Sequence, residues 1–205
     1  MKTAVRKYEF TEEVKILCDG TALHRIRALI DIDLGWRVVK AGELGGWVEK
    51  EGNLSHIGKC WVYENAKVYG DAEVFDNAEV FDNAEVYGNV KVWGNANVYG
   101  DANVYGNAEV YGDARIYGDA EVRGDTRICG DAEVFGNANV YGNAKVWGNA
   151  KVYGDAKVCG YAEVCGYVKV YGDTKISGGA IVCGINHIAD DACGSWYMKR
   201  FTEIK

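Results

Sequence analysis

From Val62 to Cys193 one six-residue phrase repeats without insertion or deletion, most often as Val-Tyr-Gly-Asp/Asn-Ala-Glu/Lys. A Val or Ile opens each of 22 consecutive hexads, at 62, 68, 74, 80 and on to 188. No other feature of the chain constrains its fold so tightly. A unit this short cannot bury an apolar face alone, so it must stack on copies of itself, and a period of six points to a parallel β-helix.

Side chains alternate between two faces along a strand, so in Ala-Glu-Val-Tyr the Ala and Val share one face and the Glu and Tyr the other. Val supplies branched bulk to the interior, and Ala supplies the small residue that a tight corner needs. The corner falls on the Gly-Asp or Gly-Asn pair, whose residues tolerate left-handed backbone angles. Of the 22 residues that follow the Gly position, nine are Asp and nine are Asn.

The [Val/Ile]-x-x-x-[Ala/Thr/Val]-x hexad resembles the signature of the left-handed parallel β-helix of hexapeptide-repeat acyltransferases. That resemblance implies an all-β triangular solenoid with 18 residues per coil and about seven coils over 62–193. It also implies self-association, since such proteins are commonly trimers packed along their faces. The segment Ala41-Gly42, Gly45-Gly46-Trp47-Val48, Leu54-Ser55, Gly58, Cys60-Trp61 and Tyr63 is similar to the YdcK-type β-helix proteins. Lys7-Tyr8-Glu9-Phe10 and Leu23-His24-Arg25-Ile26-Arg27 resemble short relatives from bacterial and phage genomes. Neither likeness carries a reaction.

Residues 1–47 differ in composition and read as a small β-rich cap, because a solenoid end exposes strand edges and an open core. Val14–Cys18 and Leu23–Ile32 are expected strands joined by an Asp19-Gly20 turn, with a third strand at Trp36–Lys40. Residues 48–61 are imperfect rungs, with a two-residue offset before the regular hexads of 62–193. Residues 194–205, with Trp196 and Phe201, read as a capping tail. Arg25, Arg27, Trp47 and Trp61 are the remaining candidate cap residues.

Every third hexad lies on the same face. The first face carries Tyr63, Phe81, Tyr99, Tyr117, Phe135, Tyr153 and Tyr171, an unbroken aromatic column. The second reads Tyr69, Tyr87, Tyr105, Arg123, Tyr141, Cys159 and Ser177; the third reads Phe75, Trp93, Tyr111, Cys129, Trp147, Cys165 and Cys183. Stacked aromatics stiffen a sheet, and a line of seven is also large enough to mark a contact surface. The first face is therefore the candidate interface of a homo-oligomer, trimer or dimer.

Catalysis finds little support. The three histidines, His24, His56 and His187, lie outside the regular rungs, and a general base must reach a bound substrate. His187, beside Asp190 and Asp191, is the weak catalytic candidate, and loss of activity in His187→Ala is what an acyltransferase relative would show. The seven cysteines match no zinc template, and the corners lack the nonapeptide of calcium rolls, so no metal and no cofactor is expected. Cys165 and Cys183 fall on successive coils within disulfide reach, though a cytoplasmic setting disfavours the bond.

The net charge is −7, with acid toward the start of the solenoid and lysine toward its end, so a nucleic-acid groove is not indicated. No apolar run approaches a membrane span and the N-terminus lacks a signal-peptide core, so a cytoplasmic, non-membrane protein is expected. The reading is a non-enzymatic scaffold or binding module, compatible with a phage or mobile-element origin. Its alternatives are an inhibitor or ligand-sequestering protein that takes a host defence protein or small ligand as partner, and the acyltransferase relative.

Overall fold

The computed structural model describes residues 6–185 and 187–189. The chain is an all-β parallel solenoid of about eight turns, with 18-residue coil spacing. Three sheets run its length. A ten-stranded sheet holds every third strand from Lys67–Val68 to Lys175–Ile176, a seven-stranded sheet runs from Glu73–Val74 to Ile181–Gly184, and an eight-stranded sheet from Trp61–Val62 to His187–Ile188.

Register follows from the hexad. Val86 pairs with Val104, Val92 with Val110 and Val98 with Ile116, so each branched side chain sits on its counterpart one coil away. These residues and the corner alanines, Ala84 to Ala162, are fully buried. The interior is a column of Val and Ala at two alternating sizes, the close packing that a dense core requires.

The corner depends on its left-handed residue. Gly118 has φ 71°, and a Cβ there would sit 3.0 Å from the amide nitrogen of Gly136 in the next coil. Beside the glycines, Asn side chains build ladders. Asn89 Nδ2 donates to Asn107 Oδ1 and Asn107 Nδ2 to Asp125 Oδ1, at 2.9 and 2.8 Å. In this run the amide donor lies in the earlier coil and the acceptor in the later one.

The N-terminal strands join the solenoid directly. β1 (Tyr8–Ile16) pairs antiparallel with β2 (Ala22–Ala28), and β3 (Ile32–Asp33) pairs with β4 (Val38–Val39). β5 (Leu44–Val48) pairs antiparallel with β2 and parallel with Lys67–Val68. The first coil is longer than the rest. Residue 48 pairs with 68 and 54 with 74, twenty apart, whereas 62 pairs with 80, eighteen apart. The two extra residues are absorbed where the amides of Lys59 and Cys60 both donate to the carbonyl of Asp76, at 2.7 and 2.9 Å.

The expected strands shift at their edges. β1 begins at Tyr8 rather than Val14, because the bulge between Phe10 and Val14 lets the chain keep pairing across Thr11-Glu12-Glu13. β2 stops at Ala28, where its amide turns to Glu43 O. The Trp36–Lys40 strand shrinks to Val38–Val39.

Candidate interaction surface

The hexad places an aromatic residue just after the buried Val or Ile of most rungs, on the outward face. On the eight-stranded sheet these rings form one stack. Phe81, Tyr99, Tyr117, Phe135, Tyr153 and Tyr171 follow one another with centroids 4.7–5.3 Å apart and planes within 11° of parallel. All six are half-buried. Tyr63 differs. It meets Phe81 edge-on at 87° and is only 5% exposed.

The cap explains the difference. Trp36 stands 6.4 Å from the Tyr63 ring, and Arg37 lies 5.3 Å from it. Tyr63 Oη donates to Glu79 Oε2 at 2.7 Å, and Trp36 Nε1 donates to Glu79 Oε1 at 3.0 Å. Burial, reinforced by the Glu79 carboxylate, pushes the Tyr63 hydroxyl pKa upward. Six of the seven predicted face residues are thus left to solvent, and the seventh anchors the cap.

The same Tyr-to-Glu reach recurs. Tyr69 donates to Glu85 and Tyr117 to Glu133, at 3.2 and 3.4 Å, and Tyr105 to Glu121. The tyrosine after one Val meets the carboxylate before the Val of the next coil. Burial, then the neighbouring Glu133 charge, raises the Tyr117 pKa to about 12.

The other ladders are shorter. On the ten-stranded sheet Tyr69, Tyr87 and Tyr105 stack at 4.8 and 5.0 Å. Arg123 then enters the column with its guanidinium 4.8 Å from the Tyr141 ring. On the seven-stranded sheet Phe75, Trp93 and Tyr111 stack at 5.6 and 4.5 Å. Cys165 and Cys183 lie in register on that sheet with Cα atoms 4.5 Å apart, and they are joined as a disulfide. Stacked sulfur thus takes the place of stacked rings at that end.

The candidate cap residues divide by role. Trp61 is fully buried. Trp47 lies between Lys15 and Arg25, 5.1 and 5.6 Å from its ring centroid. Arg25 Nε also donates to Gly45 O at 3.1 Å, and Arg27 lies 3.5 Å from Glu9. Within the His24–Arg27 run Ile26 is fully buried and Arg25 is pinned on Trp47. Trp196 and Phe201 lie outside the described residues.

A buried polar cluster closes the cap, and sequence reasoning missed it. Lys7 Nζ donates to Cys60 O at 2.7 Å and to Cys60 Sγ at 3.1 Å, and both residues are buried. Burial lowers the Lys7 pKa and raises that of Cys60. Tyr8 donates to Leu54 O at 2.9 Å and stacks on His56 at 4.3 Å. Asn53, also buried, donates to Gly70 O and Ala72 O, at 2.9 and 2.7 Å. Its signal in the sequence is an Asn one residue before the first-rung Leu54.

His24 stacks on Phe10 at 5.3 Å. His187 is exposed on the last described strand of the eight-stranded sheet, in register with Lys169; Asp190 and Asp191 lie outside the described residues. The three histidines are not brought together. Among the described residues no group of His, Cys, Asp and Glu has a metal-holding arrangement, and no helix is long and apolar enough to cross a membrane.

The fold and its outward stacks define the class, a parallel β-solenoid with aromatic ladders on its faces. No protein-family model and no curated protein sequence matches this chain.

Proposed function

We propose that this chain is a non-enzymatic, left-handed β-helical scaffold or binding module that associates with copies of itself through the eight-stranded face. On this reading it is a distant relative of the hexapeptide-repeat and YdcK-type proteins, whose residues it resembles. One observation carries the self-association reading. Six half-buried rings from Phe81 to Tyr171 stand in a single parallel stack on one face. Stacking satisfies the ring faces within the chain and leaves a strip of ring edges turned to water. An apolar strip of this length is the kind of surface that marks a contact site.

Histidine placement supports a non-enzymatic role. His24 and His56 pack on cap aromatics, and His187 is exposed on the last described strand of the eight-stranded sheet.

Light scattering on a sizing column tests the proposal. The wild type is expected at a multiple of the 22.5 kDa chain mass, and Tyr99→Glu/Tyr117→Glu at the chain mass itself. A monomeric wild type overturns self-association.

A further inference from the structure

We infer that the self-association proposed above is an antiparallel two-fold dimer, face on face, whose axis runs along the strand direction between Tyr117 and Phe135. The inference rests on that reading and adds geometry, register and partner. The partner is a second copy of this chain.

Pitch is the first argument. The strip from Phe81 to Tyr171 has ridges at 4.7–5.3 Å, the spacing of hydrogen-bonded strands. A surface corrugated at strand spacing over six rungs is matched rung for rung by another surface of the same spacing. A second copy supplies it.

Charge order gives the direction. The outward residue before each buried Val or Ile from rung 79 to rung 169 on this face reads Glu79, Asn97, Arg115, Glu133, Lys151, Lys169. A two-fold axis along the strands reverses the coil order and leaves position along the strand unchanged. Ring column therefore meets ring column, and charge column meets charge column. Arg115 comes opposite Glu133 of the second copy, Asn97 opposite Lys151, and Lys169 opposite the rung of Glu79, whose carboxylate is already held by Tyr63 and Trp36. Tyr117 meets Phe135, Tyr99 meets Tyr153, and Phe81 meets Tyr171. An isologous interface makes every such contact twice.

A parallel arrangement fails on the same residues. A two-fold along the coil axis reverses the strand direction, so when ring column meets ring column the two charge columns fall on opposite sides of the rings and Arg115 and Glu133 find no partner in the second copy.

At the cap end Trp36, Lys59, Asn77, Asn97, Asp113 and Arg115 help to line a groove along the charge column, and its Asn97 rung is the level that the antiparallel mate fills with Lys151. Trp36, 66% exposed, offers its ring to a cation there.

The test uses the full chain with p-benzoylphenylalanine in place of Tyr99 or, separately, Tyr153. After irradiation and tryptic digestion, the Tyr99 probe is expected to link to the peptide 152–157. The Tyr153 probe is expected to link to 92–115. Linkage of each probe to its own level overturns the antiparallel register while leaving self-association standing. A monomeric, unlinked wild type overturns both. An oligomer unlinked by either probe shows that this face is not its interface and overturns the inference. Substitution at Asn97 gives a second reading. In the antiparallel dimer Asn97→Glu tightens dimerisation several-fold and Asn97→Lys weakens it several-fold. If Asn97→Glu fails to tighten it, residue 97 does not face Lys151 of the second copy, and the antiparallel register is wrong.

Discussion

Tyr117 donates its hydroxyl to Glu133 Oε2 one coil on, and that same oxygen accepts from Lys151 Nζ at 2.9 Å in the coil beyond. Arg115 approaches the other carboxylate oxygen at 3.8 Å. Glu133 thus ties three consecutive rungs on their outer face. Its side chain is 17% exposed, so it is better shielded than a surface ion pair.

Removing Glu133 is expected to cost more than removing a solvated partner. Glu133→Ala strips a charged acceptor from a hydroxyl and an ammonium, a loss of about 2 kcal/mol. Asp71→Ala, which breaks the exposed Lys50–Asp71 pair, should cost under about 0.5 kcal/mol. Urea midpoints at unchanged slope decide between them, and equal midpoints would make the Glu133 node ornamental.

The left-handed corner position is occupied by a non-glycine residue at Glu64, Asp76 and Asp82, with φ 47°, 58° and 60°. An L-residue there costs about 1–2 kcal/mol. Glu64→Gly should recover up to about 1 kcal/mol after the added freedom of the unfolded chain. Gly118→Ala should lose roughly 2 kcal/mol, since its Cβ also crowds Gly136. Thermal denaturation of both variants checks the opposite signs, and a destabilised Glu64→Gly would refute the strain.

Much of the architecture was legible because every rung repeats the same instruction. Val62 to Ile188 announced the buried column, and the 18-residue coil followed from the resemblance. What the repeat could not announce is where its symmetry is broken from outside. Glu73, Glu79 and Glu85 occupy equivalent positions, yet only Glu79 is buried, because Trp36 folds down from a non-repeating segment. Tyr63 left the aromatic face for the same reason. Lys7 was opaque too, since a lysine reads as solvated until Cys60 and its bulge come to meet it. The Cys165–Cys183 juxtaposition was readable from the period, but the bond depends on redox setting, which no spacing encodes.

His56 makes the cap sensitive to acid. Its Nδ1 accepts the Lys7 amide at 3.2 Å, a role only the unprotonated nitrogen can play. Burial holds its pKa below the ordinary value of 6.5, so as pH falls the unfolded chain takes up the proton first. Stability is therefore full above about 6.5 and declines as pH drops through the lower folded value. Melting temperature should fall between pH 7.5 and 5.5 in the wild type and stay flatter in His56→Phe, which keeps the Tyr8 stack. Parallel pH profiles would remove His56 as the cause.

The Cys165–Cys183 bond closes an 18-residue loop, one full coil. Cross-linking a loop of that length removes about 3 kcal/mol of unfolded-chain entropy, here applied to local opening of the last rungs. Reduction should speed hydrogen exchange of the Glu163 and Tyr167 amides, which bond to Ala180 O and Gly184 O, by up to about a hundredfold. Amides near Tyr99 should not change. Uniform acceleration along the solenoid would mean that the ends do not open independently.

The Asn ladder has a direction, and its reversal is testable. Asn107 accepts from Asn89 and donates to Asp125. Asn107→Asp keeps the first bond and destroys the second, because a carboxylate has no proton to give at neutral pH. It also sets two carboxylates one strand spacing apart, about 4.8 Å, where like charges directly opposite destabilise a sheet. The combined cost should be about 1–2 kcal/mol at pH 7. Below about pH 4 one carboxyl of the pair gains a proton and can donate to the other, so the deficit should shrink. Asp125→Asn leaves an amide acceptor in place and should be nearly neutral. Denaturation midpoints of the two variants at pH 7 and pH 3.5 decide the point. An Asn107→Asp deficit that persists unchanged in acid would show that charge plays no part in the corner.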